Sequence, residues 1–263
     1  MTAALQSREH ATSGPAAGAQ ITVRRLTMGY GDRIVQRDID FEVARGTRFI
    51  IMGDSGSGKS TLLKHMIGLN RPLTGEVWFG DRNLWALGDS ARQALARSFG
   101  VLYQSGALWS SMTLAENVAL PLSQYTELGD RDIDQLVALK LALVGLAGFG
   151  GYYPSELSGG MKKRAGLARA MALDPQVLFL DEPSAGLDPL SSRLLDELIL
   201  ELNESLGTTF LIVTHELASI FAIGQDAVFL DSETHTMLAR GDPRELARCS
   251  PSEKVRRFLN RGE

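Results

Sequence analysis

The sequence carries a single cysteine, Cys249, in 263 residues, so no internal disulfide can form. Its four histidines, His10, His65, His215 and His235, show no metal-ligand spacing. Both absences fit a reducing compartment without a structural metal. No apolar run approaches the roughly 20 residues that cross a bilayer, and the first residues lack a signal-peptide core. The chain is therefore expected to stay in the cytosol. Blocks of Lys and Arg are missing too. At a net charge of −4 nothing offers the clustered cations that a nucleic-acid backbone requires. No internal repeat is visible. Hydrophobic residues make up 44%, enough to bury a substantial core as one large domain or two closely joined lobes.

What is present is a phosphate loop. Gly53-Asp54-Ser55-Gly56-Ser57-Gly58-Lys59-Ser60-Thr61 directly follows the apolar run Arg48-Phe49-Ile50-Ile51-Met52. The spacing Gly-x-x-x-x-Gly-Lys-Ser lets a backbone free of obstructing side chains curl around a β-phosphate. Successive N–H groups then point inward at a helix N-terminus. Lys59 adds a mobile positive charge, and the Ser60 hydroxyl can ligate Mg²⁺. The helix-forming stretch Leu62-Leu63-Lys64-His65-Met66 completes the strand, loop and helix order that this chemistry needs.

Residues 1 to 19, rich in Ala, Gly, Ser and Thr, cannot offset the entropy of ordering and are expected to be a disordered tail. From Ile21 to Val43 two alternating stretches flank a Gly-Tyr-Gly-Asp turn, which predicts a small antiparallel β subdomain. Three later runs are continuously apolar: Phe49 to Met52, Val177 to Leu180 and Phe210 to Val213. Continuous burial predicts central parallel strands. Each run ends in polar residues suited to phosphates, namely the loop at Gly53, Asp181-Glu182 and Thr214-His215. Ligands of open α/β sheets bind at the carboxyl ends of strands, so these distant groups are expected to converge on one nucleotide. A helical lobe is expected over the insert from about Gln104 to Leu157, with a glycine-rich break at Gly148 to Gly151. A strand at Ala227 to Leu230, a hairpin and a helix through Leu259 close the chain.

Asp181 can hold Mg²⁺, directly or through water, while Glu182, one residue on, is placed to polarise the attacking water. His215 can hydrogen-bond the γ-phosphate or orient that water. Gln104 is a neutral side chain able to reach Mg²⁺ or water when nucleotide is bound. Leu157-Ser158-Gly159-Gly160 opens another helix, with Ser158 as N-cap and glycines leaving N–H groups bare. One nucleotide already has its loop. The simplest use of this second phosphate-ready terminus is to cover the γ-phosphate held by another copy.

These motifs, with Leu178-Phe179-Leu180-Asp181-Glu182-Pro183 and Ser184-Ala185-Gly186-Leu187-Asp188, resemble an ABC-transporter ATPase subunit over residues 20 to 245. The resemblance implies an α/β fold of the P-loop ABC ATPase type, with a mostly parallel core sheet, an antiparallel β subdomain and a helical subdomain over about 104–165. It also implies a head-to-tail homodimer, each ATP lying between the loop of one copy and Ser158-Gly159-Gly160 of the other. Asp188 would communicate across that dimer, and Tyr30 would stack on adenine.

A narrower likeness rests on Gly100 to Leu108, Glu116 to Leu122, Met161 within Leu157 to Arg164, and the closing Val255-Arg256-Arg257-Phe258-Leu259. These are similar to the ATPase of Mla/Mce phospholipid-transport systems. That family implies a peripheral protein on the cytoplasmic face of the inner membrane, working with an integral permease, a membrane-anchored Mce-domain lipid-binding protein and a small cytosolic accessory subunit. The expected organisation is a tail over 1–19, an ATPase domain over 20–246 and a helical extension over 247–263. The loop from Ser105 to about Leu122, with apolar Leu108, Trp109 and Met112, is the expected permease contact. A small-solute importer would share the ATP chemistry. A soluble regulatory ABC protein usually has two ATPase domains in one chain, whereas one phosphate loop is present here.

Overall fold

The structure, a computed structural model, describes residues 18–31 and 33–261. The expected tail lies outside them, apart from Gly18 in a turn and Ala19, which already opens the first strand. Asp32 of the expected turn lies outside them as well.

Strands β1 (Ala19–Tyr30) and β2 (Arg33–Ala44) form a hairpin, after which β3 (Arg48–Gly53) runs through the phosphate loop into α1 (Lys59–Met66). The strands β4 (Thr74–Phe79) and β5 (Arg82–Asn83) lead to α2 (Asp89–Ala96) and β6 (Phe99–Leu102). The helical lobe holds α3 (Leu114–Tyr125), α4 (Asp130–Leu143), a 3-10 turn at Pro154–Glu156 and α5 (Gly159–Ala170). Then β7 (Val177–Asp181), α6 (Pro189–Leu206), β8 (Thr209–Val213) and α7 (Leu217–Ile223) alternate. Last come β9 (Asp226–Leu230), β10 (Met237–Gly241), α8 (Pro243–Cys249) and α9 (Glu253–Leu259).

One sheet is antiparallel, in the order β2-β1-β4-β5; the other is six-stranded, in the order β10-β9-β3-β8-β7-β6. Within the second, β9, β3, β8, β7 and β6 run parallel and only β10 turns back. The continuous apolar runs are explained by period-2 geometry with both faces covered. Phe49, Ile51, Val177, Phe179, Leu211 and Val213 enter the core shared with the antiparallel sheet. Their alternates Ile50, Met52, Leu178, Leu180, Phe210 and Ile212 enter the core covered by the helices. Stacked rings join the two sheets, Phe41 on Phe49 at 5.1 Å and Phe79 on Phe99 at 5.2 Å.

Two expected boundaries fall inside helices. The lobe limit at 165 cuts α5, and the limit between 246 and 247 cuts α8. The expected extension also joins the main core: Val255, Phe258 and Leu259 are buried, and the Phe258 ring meets Phe229 edge-on at 5.0 Å. Apolar spacing at the end of α9 pulls it onto the body of the protein. Among the described residues no helix is long and apolar enough to cross a membrane.

Candidate active site

Strand β3 ends where the backbone must turn sharply, and glycines take the conformations that L side chains avoid: φ is +149° at Gly53, +77° at Gly56 and +90° at Gly58. A Cβ on Gly53 would lie 2.1 Å from the Leu230 carbonyl oxygen, so β9 sets how closely the loop closes. Gln36, buried on β2, braces the loop from behind by donating to the Ser57 carbonyl at 2.8 Å and the Asp231 carbonyl at 2.7 Å. Among the described residues no side chain caps α1. Its first N–H groups remain available to an anion.

Lys59 curls back to donate to the carbonyls of Gly53 at 3.0 Å and Asp54 at 2.9 Å. Burial lowers its pKa below that of ordinary lysine, against the pull of Glu182, Asp54 and Asp181. Three carboxylates thus already surround this cation. Ser60 Oγ donates to Asp181 Oδ1 at 2.8 Å, which unites two of the three groups read as metal-facing, Gln104 being the third. Among the described residues no cluster of three or more acidic, histidine or cysteine side chains could cage a metal. A hydroxyl and one carboxylate suit Mg²⁺, which keeps waters and takes phosphate oxygens as its other ligands.

Glu182 follows β7 in a left-handed conformation, φ +49°. Its N–H donates to the Val213 carbonyl at 2.8 Å, and its Oε1 lies 2.9 Å from His215 Nδ1. Among the described residues its buried Oε2 has no hydrogen-bond partner, which leaves it able to accept from a water. The pairing of His215 with Glu182 goes beyond the expectation that His215 serves phosphate or water alone. This contact would let the histidine also orient the carboxylate.

A cleft of about 590 Å³ collects Tyr30, Gly53, Ser55, Gly56, Gly58, Lys59, Ser60, Thr61, Gln104, Glu182 and His215. Asp54 points outward from the same loop to the Lys254 ammonium at 2.9 Å. Tyr30 is 56% exposed at the rim, open to a flat ring. Ser158, Gly159 and Gly160 do not line this cleft. Ser158 caps α5 by accepting from the Met161 N–H at 3.3 Å, and the terminus stands exposed.

Several groups at the site escaped sequence reasoning. Lys163, one turn into α5, is buried and donates to the Glu182 carbonyl at 3.2 Å and to the Gln104 carbonyl. One ammonium therefore ties the lobe helix to both loops. Arg33 and Arg261 add charge to the cleft. Lone basic residues on a strand edge or after a helix give no sequence signal. Another cleft, about 310 Å³, opens beside Gln20, Gln176 and Thr209 at the opposite ends of the strands, away from the phosphate loop.

The model of the ABC transporter family matches residues 36–185. The Mycobacterium bovis protein named "Probable ribonucleotide transport ATP-binding protein mkl" is 39% identical over 95% of this chain and 68% of its own length. The "Intermembrane phospholipid transport system ATP-binding protein MlaF" of Haemophilus influenzae is 38% identical over 91% of this chain and 89% of its own. MlaF of Escherichia coli strain K12 is also 38% identical, over 91% and 88%. Among solved structures, the dimeric post-hydrolysis state of the ATP-binding cassette MJ0796 bound to ADP and Pi superposes with a TM-score of 0.76 at 27% identity, covering 84% of this chain and 98% of that one. The cbiO1 structure from Clostridium perfringens gives 0.80 at 26% identity, covering 92% and 95%. The chain belongs to the ABC transporter ATPase family.

Proposed function

We propose that this protein is the Mg²⁺-dependent ATPase subunit of a transporter that moves phospholipid between the membranes of the cell envelope. It works as a homodimer on the cytoplasmic face of the inner membrane, beneath an integral permease, with an Mce-domain lipid-binding protein and a small accessory subunit as further partners. Lys59 and the loop N–H groups hold the β- and γ-phosphates. Glu182, oriented by His215, takes the proton of the attacking water. Ser60, Asp181 and Gln104 would hold Mg²⁺, which when bound neutralises charge developing on the phosphate oxygens. Tyr30 supplies a face for adenine.

The observation that carries this reading is the separation of the two phosphate-ready termini. The loop at Gly53–Thr61 and the glycines after Ser158 do not share a cleft in one chain. Two copies arranged head to tail bring them together, and opening and closing that interface gives a stroke a permease can use.

The relatives carry two different cargo names, and an ATPase subunit does not touch cargo, so transport of ribonucleotides or other small solutes is the second reading. Purification from native membranes with mass spectrometry of partners and lipids decides between them. A permease with an Mce-type protein and phospholipid is expected. A permease with a solute-binding protein would replace the cargo, and no membrane partner would overturn the transporter reading.

A further inference from the structure

We infer that α9 is a wall of the nucleotide site and that Arg261 at its end positions the terminal phosphate of ATP, an inference that rests on the ATPase reading above. Three sets of contacts place the segment there. Lys254 near its start reaches Asp54 of the phosphate loop at 2.9 Å, Asp231 after β9 at 2.5 Å and Glu233 at 2.9 Å. Phe258 and Leu259 bury against the core, which fixes the helix between its two charged ends. Arg261 stacks its guanidinium 4.1 Å above the Phe258 ring and donates to the His215 carbonyl at 2.6 Å.

The consequence is electrostatic as well as mechanical. Arg261 lines the same cleft as Lys59, Glu182 and His215. A guanidinium held flat by a ring and a carbonyl still has donors free to meet an oxyanion. Its neighbour His215 and the Glu182 carboxylate mark the end of the cleft where hydrolysis occurs. Arg261 therefore favours ATP over ADP. Lys254, by contrast, acts on the loop that cradles the β-phosphate, which the two nucleotides share.

The test is equilibrium binding of Mg-ATP and Mg-ADP to the full chain, with steady-state hydrolysis and thermal unfolding alongside. Arg261→Ala is expected to weaken ATP about fivefold while ADP changes less than about twofold, the size expected for one exposed charge contact. Its Tm should stay at that of the parent, and Arg261→Lys should recover most of the affinity. Lys254→Met should weaken both nucleotides alike. Unchanged ATP affinity in Arg261→Ala overturns the inference, as does an equal loss for ATP and ADP with a lowered Tm, which would make the residue a fold contact only. If the parent chain neither binds nor hydrolyses ATP, the ATPase reading itself fails, and that result is read from the parent alone.

Discussion

Glu182, the proposed base, holds a left-handed backbone, φ +49°. Such a conformation costs about 1–3 kcal/mol and persists because neighbours enforce it, here Val213 on its N–H and Lys163 on its carbonyl. Glu182→Gln is expected to keep ATP binding and lose turnover; steady-state hydrolysis at the parental rate would refute its assignment as base. Lys163 holds two backbone carbonyls, and its charge also faces the carboxylates of Glu216, Asp181 and Glu182. Replacing it by Met is expected to lower the turnover number about tenfold or more with KM nearly unchanged, since small misplacements of a base are costly, while Lys163→Arg should restore much of the rate. The sequence made Lys59, Ser60, Asp181 and Glu182 legible because phosphate chemistry demands those types at those spacings. It hid the pairing of His215 with Glu182 and the bridge from Lys163, because both depend on which loops meet across the sheet.

Strands were readable where burial was continuous, and β6 shows the limit of that signal. Its run Phe99-Gly100-Val101-Leu102 is interrupted by a glycine, which the fold needs because a Cβ there would lie 2.0 Å from the Ala170 carbonyl oxygen of α5. Close helix-on-strand approach removes the side chain that would have announced the strand. Helices α2, α6, α7 and α8 carry no expectation in the sequence, the 18-residue α6 included. Between α6 and α7 the buried Asp196 accepts from Ser219 Oγ at 2.8 Å, and among the described residues its second oxygen has no hydrogen-bond partner. Burial raises its pKa from 3.8 to about 6. The folded state then binds this proton more tightly than the unfolded state, so its contribution favours folding below 3.8 and is lost as pH rises toward 6. Asp196→Asn is expected to raise stability at pH 8 by about 1–3 kcal/mol and to flatten the dependence between pH 4 and 6. Urea denaturation of both proteins across that range measures it.

Assembly depends on surfaces that one chain leaves open. In the loop expected to meet the permease, Trp109 is 58% exposed, whereas Leu108 and Met112 are half-buried, Leu108 against the main core. The exposed apolar surface of this loop is thus narrower than three residues suggested. Buried Asn117 shapes it, accepting from the Trp109 N–H at 2.8 Å and donating to the carbonyls of Trp109, Met112 and Thr113. Trp109→Ala is expected to reduce permease copurification and coupled hydrolysis; retention of both would move the contact elsewhere. The exposed terminus after Ser158 poses the larger question of whether a second copy completes the site. Sedimentation of the Glu182→Gln chain with and without Mg-ATP answers it most directly. A shift from monomer to dimer on adding ATP, abolished by Ser158→Arg, is the predicted result. A monomer at saturating ATP, or a dimer indifferent to Ser158→Arg, would contradict the composite site.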